Sequence, residues 1–443
     1  MISKRKTIIL LLVISIGGSI TSITFLIFTL NSFNGSWSFN LTNNREEIAS
    51  PCAISTNGKY IVVGSGNDHI YLFEKSSFTP QWSYRTDDNI NDVDISANGQ
   101  YIVAGGADAN LYVFERTSSN PLWTYSTNDH ILNVGISADG NYIFACDSFG
   151  LFLFSRDSEI PLWFKSLAGG FLVAEISGNG SYLVSVFNGV VNFYHKSNST
   201  PLWQYDTGEQ VILGLAMTPN GEFFAVGGQD RKVHLFTSTG TSPFQVYSVG
   251  GLVRRLAISD DGNYISAGCS NGLYLFDKSI SGQLWVYPTT EGREVDISSD
   301  GSVIAFGGGS FDNDQDFVYF FDKSSNNRLW EKKVINRVEC IKISADGSII
   351  AVAAGYNFYL LNSDNPTIDI LYEDKLNASV IGLALFVGMG AATGVTYYIL
   401  RVVQVRKEKI RLEKEKIERE IKGAIDILDG KYKEWNEEES EKI

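Results

Sequence analysis

The chain has 443 residues, with 36 Lys and Arg against 50 Asp and Glu, a formal charge of −14, and 44% apolar residues, enough material for a sizeable core. The acidic balance excludes a nucleic-acid partner, because phosphate binding needs a broad face of clustered Lys and Arg. Only 19% of residues are charged, while 42 are Gly and 13% are aromatic, a composition that excludes disorder and favours turn-rich β structure. Cys52, Cys146, Cys269 and Cys340 are widely spaced, so they form no CxxC zinc or redox pair and no disulfide scaffold.

At the start, Lys4, Arg5 and Lys6 in a short 1–6 segment precede a charge-free run of 24 residues from Thr7 to Leu30. At about 1.5 Å per helical residue this run crosses the roughly 30 Å hydrocarbon layer of a bilayer, and it is longer than a signal-peptide core. A retained transmembrane helix is therefore expected over 7–30. Ala378 to Leu400 is also charge-free and ends with Tyr397 and Tyr398, suited to an interfacial aromatic belt, which gives a second span over 377–400. Basic residues precede the first span and follow the second at Arg401, Arg406, Lys407, Lys409 and Arg411. The positive-inside rule then places 1–6 and 401–443 in the cytoplasm and 31–376 outside, as a two-pass protein of the plasma membrane.

Asn34, Asn40, Asn179, Asn198 and Asn377 head Asn-x-Ser/Thr sequons in the outside segment, as expected of a glycoprotein. Gly390 and Gly394 form a GxxxG in the second span, where close packing on the first span or on a second copy of the chain is possible.

Between the spans one phrase recurs: Ile-Ser-x-x-Gly-x-Tyr-Ile-Val, then Leu-Tyr-Leu-Phe, then Pro-Leu-Trp-x-Tyr. Its turn glycines are Gly58, Gly99, Gly140, Gly180, Gly221, Gly262, Gly301 and Gly347, at intervals of 41, 41, 40, 41, 41, 39 and 46 residues. A second mark keeps the same phase at Trp82, Trp123, Trp163, Trp203, Phe244, Trp285 and Trp330. Four short strands per unit of about 40 residues make a propeller blade, whose two faces are buried only by neighbouring blades in a closed ring. The expected fold is all-β, an eight-bladed propeller. Ser36 to Phe39 supplies the fourth strand that the last unit lacks; the alternative is Ile368 to Tyr372.

These units resemble the blades of the WD40-like and pyrroloquinoline-quinone (PQQ)-like propeller families. The Ser/Asn-rich turn before Leu-Trp, as across 322–330, is closer to the latter. The Gly-His and Trp-Asp dipeptides of WD40 blades are missing, and Phe73-Glu74, Phe276-Asp277 and Phe321-Asp322 stand where Trp-Asp would. The quinoprotein resemblance implies vicinal cysteines and a calcium-bound carboxylate site. No two cysteines are adjacent, and no Ser/His/Asp or HExxH arrangement is legible, so the chain is expected not to be an enzyme and to hold no cofactor. A shared fold does not choose among functions.

Three features offer sites. Arg254, Arg255, Arg293 and Arg337 come from three consecutive units, on loops entering the innermost strands, where an anionic ligand or acidic partner segment would sit. The competing reading balances them against Asp92, Glu294 and Glu339. Asp312, Asp314 and Asp316 alternate in an insertion of the seventh unit and could converge on calcium, which takes about six to eight oxygens, although a solvated acidic loop reads as well. Cys52 and Cys340 open neighbouring innermost strands, where an oxidising exterior would permit a disulfide; adjacent inner strands usually diverge beyond the roughly 7 Å between Cα atoms that a bridge needs, so two buried free thiols are expected there. One Trp per blade reads as core packing, not as carbohydrate stacking.

After Leu400, Ile410, Ile417, Ile421, Ala424, Ile425 and Leu428 fall at helical spacing among charges, a juxtamembrane helix able to pair with a second copy or a cytosolic partner. The whole reads as a membrane-anchored, non-catalytic platform for protein or glycan partners on the propeller rim. A receptor-like sensor coupled to the tail is the alternative, and a PQQ-dependent dehydrogenase a more distant one.

Overall fold

The computed structural model describes residues 36–41, 51–167, 172–208, 211–309, 316–364 and 366, and the backbone alone of 8–10, 26–28, 310 and 315. Each unit is organised by its turn. In the second unit Ser96 Oγ donates to Asn98 Oδ1 at 2.9 Å and accepts the Tyr101 N–H at 3.0 Å, and Asn98 Oδ1 also accepts the Gln100 N–H at 2.8 Å. The same Ser/Thr–Asn/Asp box closes the turn in the other seven units, and each hydroxyl is buried. Gly99 completes the reversal at φ 70°, in the left-handed region that glycine enters without strain. A Cβ there would stand 2.5 Å from Tyr60 of the preceding unit, so this glycine serves the seam between units as well as the turn.

From each turn the chain runs outward through an antiparallel meander, and the ring contains eight four-stranded sheets. Blade 2 shows the plan, with strands Ile90–Ile95, Tyr101–Gly106, Asn110–Glu115 and Trp123–Ser126. The innermost strands of the other blades are Cys52–Ile54, Asn133–Ile136, Leu172–Ile176, Ile212–Met217, Val253–Ile258, Glu291–Ile297 and Val338–Ile343. In blade 8 the third strand, Asn357–Asn362, pairs with Trp37–Asn40 in the register Trp37↔Leu360 to Asn40↔Asn357. The N-terminal strand therefore completes the last blade, as expected, and Ile368 to Tyr372 lies outside the described residues. The Asn362 N–H donates to Ser36 Oγ at 2.8 Å, so the two chain ends of the ring meet.

Apolar side chains pack between blades, in one cluster at each of the eight seams. Outer-strand tryptophans tie the seams. The indole N–H of Trp37, Trp82, Trp123, Trp163, Trp203, Trp285 and Trp330 donates to a backbone carbonyl of the next blade, at 2.5–3.0 Å. Packing, not carbohydrate stacking, explains their period. Blade 5 departs from the expected mark. Gln245 pairs with Leu235, as Trp203 pairs with Phe193, so Gln245 and not Phe244 occupies the tryptophan position. Phe244 is exposed, as are Leu122, Leu162 and Leu202 immediately before their tryptophans. An aromatic residue one step early had concealed this shift.

The chain divides into units Met1–Asp369 and Ile370–Ile443. The span 377–400, with Gly390 and Gly394, and the tail 401–443 lie outside the described residues, as does most of 7–30. Within 7–30 the described backbone is two strands, Ile8–Leu10 and Leu26–Phe28, paired antiparallel where one helix was expected. Short apolar runs do not separate helix from strand by periodicity. Among the described residues no helix is long and apolar enough to cross a membrane.

Candidate functional site at the channel

The innermost strand of every blade is a sheet edge, so half of its N–H and C=O groups face the ring axis without a strand partner. Side chains of the preceding blade cap several of them. Asp92 Oδ2 accepts the Val134 N–H at 2.9 Å, Asp94 Oδ2 the Ile136 N–H at 2.9 Å, Asn133 Oδ1 the Ala174 N–H at 2.9 Å and Asp296 Oδ2 the Ile343 N–H at 2.7 Å. The strands enclose a channel of about 640 Å³ whose walls include these residues and all four arginines proposed from sequence.

Counting back from the turn serine, two layers of the wall become visible. Two residues before it stand Asp94, Glu175, Asp296 and Lys342, where other blades carry Ala or Gly. Lys342 projects into the lumen and keeps solvent-exposed surface although protein surrounds it. Confinement disfavours its charge, but Asp296, Cys340, Glu175 and Asp94 more than offset this and raise its pKa. Burial pushes Asp94 up to about 6, against hydrogen bonds from Ile136 and Ile95. Burial likewise pushes Glu175 up to about 8, helped by Asp94 and opposed by Lys342. Asp92 and Asp296 are also raised by burial. Spacing within one unit could not reveal this cluster; aligning the units on their turn serines would have shown it.

Five residues before the turn serine the ring is two-sided. Leu132 and Leu213 from blades 3 and 5 stand on one arc, with Leu172 between them buried in the seam of blades 3 and 4, and Arg254, Arg293 and Glu339 from blades 6 to 8 form the other. β-Bulges place Arg254 and Arg293 here: the pairing skips from Val253 to Arg255 and from Gly292 to Val295, which leaves the residues between free of the ladder. Arg254, Arg255 and Arg293 therefore lie within innermost strands, not on the loops expected, and only Arg337 precedes its strand.

The arginines divide by burial. Arg255 pairs with Glu294 at 3.0 Å and Arg337 with Glu339 at 3.0 Å, both on partly exposed side chains. Arg255 is raised in pKa chiefly by Glu294, and Glu339 reaches about 6 through burial, opposed by Arg337. Arg293 is only 8% exposed. Its Nη2 contacts Glu291, its Nε lies 3.9 Å from Asp316 Oδ2, and its Nη1 has no hydrogen-bond partner among the described residues. Arg254 approaches the same Glu291 at 3.9 Å. Asp92 faces Asn133 across the seam, at 2.8 Å from its Nδ2, and its charge adds to that of Glu294 in raising Arg255.

The other proposed sites fare differently. Asp312 and Asp314 lie outside the described residues, between strands Val303–Ser310 and Gln315–Asp322. Asp316 turns inward, accepting the Val338 N–H at 2.9 Å, and burial raises its pKa. Among the described residues no group of three or more His, Cys, Asp or Glu is placed to hold a metal. Asn40, Asn179 and Asn198 are exposed, and Asn34 and Asn377 lie outside the described residues. Cys52, Cys146, Cys269 and Cys340 are free and buried.

Ring, seams and channel together define an eight-bladed propeller of four-stranded blades. The family described as WD domain, G-beta repeat matches residues 78–115 and 200–237. These two matches and the eight-bladed ring support a WD40-like repeat family for the chain, a class of propellers that serve generally as protein-interaction scaffolds. Both matched stretches contain a hairpin carboxylate tied to a ring four residues on: Tyr112 Oη donates to Asp108 at 2.6 Å, and His234 Nε2 meets Asp230 at 2.6 Å. No curated protein matches the chain.

Proposed function

We propose that the propeller is a non-catalytic docking platform whose arginine-bearing channel mouth receives an acidic segment of a protein partner. The observation that carries this is Arg293, held nine-tenths buried at the mouth with Nη1 unpartnered and flanked by Arg254 and Arg337 from the adjoining blades. A carboxylate entering there meets a donor that already lies away from bulk water, where charge-assisted hydrogen bonds are strongest. The leucine arc opposite suits the apolar side chains of the same segment.

We further infer that the charge-free segments near 7–30 and 378–400 hold the ring at the outer surface of the plasma membrane. Strand direction supports the orientation. The innermost strand of blade 8 starts at the mouth beside Arg337, and its third strand ends at Asn362 beside Ser36, at the opposite face. The described ends of the ring, Ser36 and Asn362, thus lie at the face away from the mouth.

The full chain in detergent, immobilised and exposed to surface proteins of its own source and to a glycan array, tests this. Retention of a protein that is lost on Arg254→Glu with Arg337→Glu, in a variant that melts like the parent, supports the reading. Retention of glycans alone, or of proteins regardless of these substitutions, overturns it. Labelling of single cysteines introduced at Asn198 and in the tail, on intact cells, tests the topology: only the first should react with an impermeant reagent.

A further inference from the structure

We infer that Cys52 and Cys340 form a reversible disulfide across the seam where the ring closes. Cys340 Sγ accepts the Cys52 N–H at 3.2 Å and donates to the Cys52 carbonyl at 3.2 Å. Both residues belong to the apolar cluster between blades 8 and 1. With Cys340 Sγ 3.2 Å from both the N and the O of Cys52, the two residues adjoin across the seam, the first condition for a bridge. At corresponding positions Asp92 and Asn133 cap the next blade's N–H with oxygen; sulfur takes that part at the closing seam.

Both cysteines line the channel, so a small solute can reach them although each is buried. Burial raises the Cys52 thiol well above its usual pKa, which slows thiolate chemistry and makes the oxidation a matter of minutes to hours. The co-reactant is a small-molecule disulfide. The thiolate of one cysteine attacks it, forms a mixed disulfide and releases one small thiolate; the second cysteine then displaces the other. Two protons and two electrons leave the cysteine pair, the protein S–S bond forms, and the small disulfide is reduced to two thiols. Residues 288 apart in sequence become linked, so the bridge joins the two blades that the Trp37–Asn40 strand otherwise holds, and it constrains the unfolded chain over a long loop.

The remaining thiols are internal controls. Cys146 in blade 3 and Cys269 in blade 6 are buried free thiols. The full-length protein is incubated folded with oxidised glutathione and then unfolded and alkylated. The expected result is a fall from four alkylated cysteines to two, a peptide linking Cys52 to Cys340, a higher Tm, and return of all four thiols on reduction. C52S and C340S each keep three alkylated cysteines under the same treatment, and both are checked for parental circular dichroism. Four thiols after oxidation, a persistent glutathione adduct without the bridge, or a bridge that forms only in denaturant overturns the inference. None of these readouts depends on the partner or the membrane placement, so it stands or falls apart from the docking function.

Discussion

At the outer rim, seven of the eight blades present a tryptophan whose indole N–H reaches the same backbone position of the next blade. Along the channel, by contrast, the layer two residues before the turn serine changes from Asp to Gly to Glu to Ala around the ring. The rim positions answer one repeated demand, closure of a seam, and one residue type satisfies it everywhere. The channel positions answer a weaker structural demand, since an edge N–H can be met by a carboxylate, an amide, a thiol or water. Freed from repetition, they carry charge in some blades and none in others. In this ring regularity marks packing, and its interruption marks the surface available to a ligand.

Replacing a rim residue should therefore cost far more stability than replacing a channel residue. Trp123→Ala removes an aromatic packed 5.6 Å from Phe154 and leaves the Arg156 carbonyl unpaired, so a loss of about 3–5 kcal/mol is expected in urea unfolding of the full chain. Ser96→Ala removes a buried hydroxyl that both donates and accepts in its turn, for about 1–3 kcal/mol. A loss below about 0.5 kcal/mol for Trp123→Ala would remove the distinction between rim and channel, and the same result for Ser96→Ala would show that the turn box is dispensable.

Glu175 moves the comparison into the lumen and gives it a pH signature. Its folded pKa, about 8, lies above the ordinary 4.5, so the folded state holds the proton more tightly. Its contribution is therefore fully present below about pH 4.5 and is lost as pH rises through about 8. Glu175→Gln should track the parent in acid and become the more stable of the two as pH approaches 8. Thermal melts across that range check this, and a variant less stable than the parent at the alkaline end would contradict it.

The sequence made the rim legible and the channel only partly so. Period, turn chemistry and strand order follow from local residue types, and each turn repeats eight times, so Gly58 to Gly347 and the N-terminal strand at Trp37 could be placed. The four arginines could be seen to share a region, because they lie near the start of consecutive units. What escaped was depth. Bulges after Val253 and Gly292 carry Arg254 and Arg293 into the strands, and no spacing rule announces a bulge. The acidic cluster about Lys342 arises from residues in blades 2, 4, 7 and 8 meeting across an axis, which is a property of the closed ring and not of any unit.

Blade 5 offers the finest test, because there the rim itself breaks its rule. With Gln245 in the tryptophan position, Tyr247 sinks into the seam: it is 2% exposed, its ring lies 4.5 Å from Phe276, and its hydroxyl donates to the Asp277 carbonyl at 3.3 Å. Tyr125, at the same position in blade 2, lies beside an intact tryptophan tie and stays partly exposed. Tyr247→Phe should therefore cost about 1 kcal/mol, the ordinary worth of a hydrogen bond, whereas Tyr125→Phe should be neutral within about 0.5 kcal/mol. Gln245 keeps a cross-blade hydrogen bond of its own, Nε2 donating to the Ile280 carbonyl at 3.2 Å, so equal effects would mean that Tyr247 only fills space. A loss confined to Tyr247→Phe would show that its hydroxyl adds a second cross-blade hydrogen bond to the seam of blades 5 and 6.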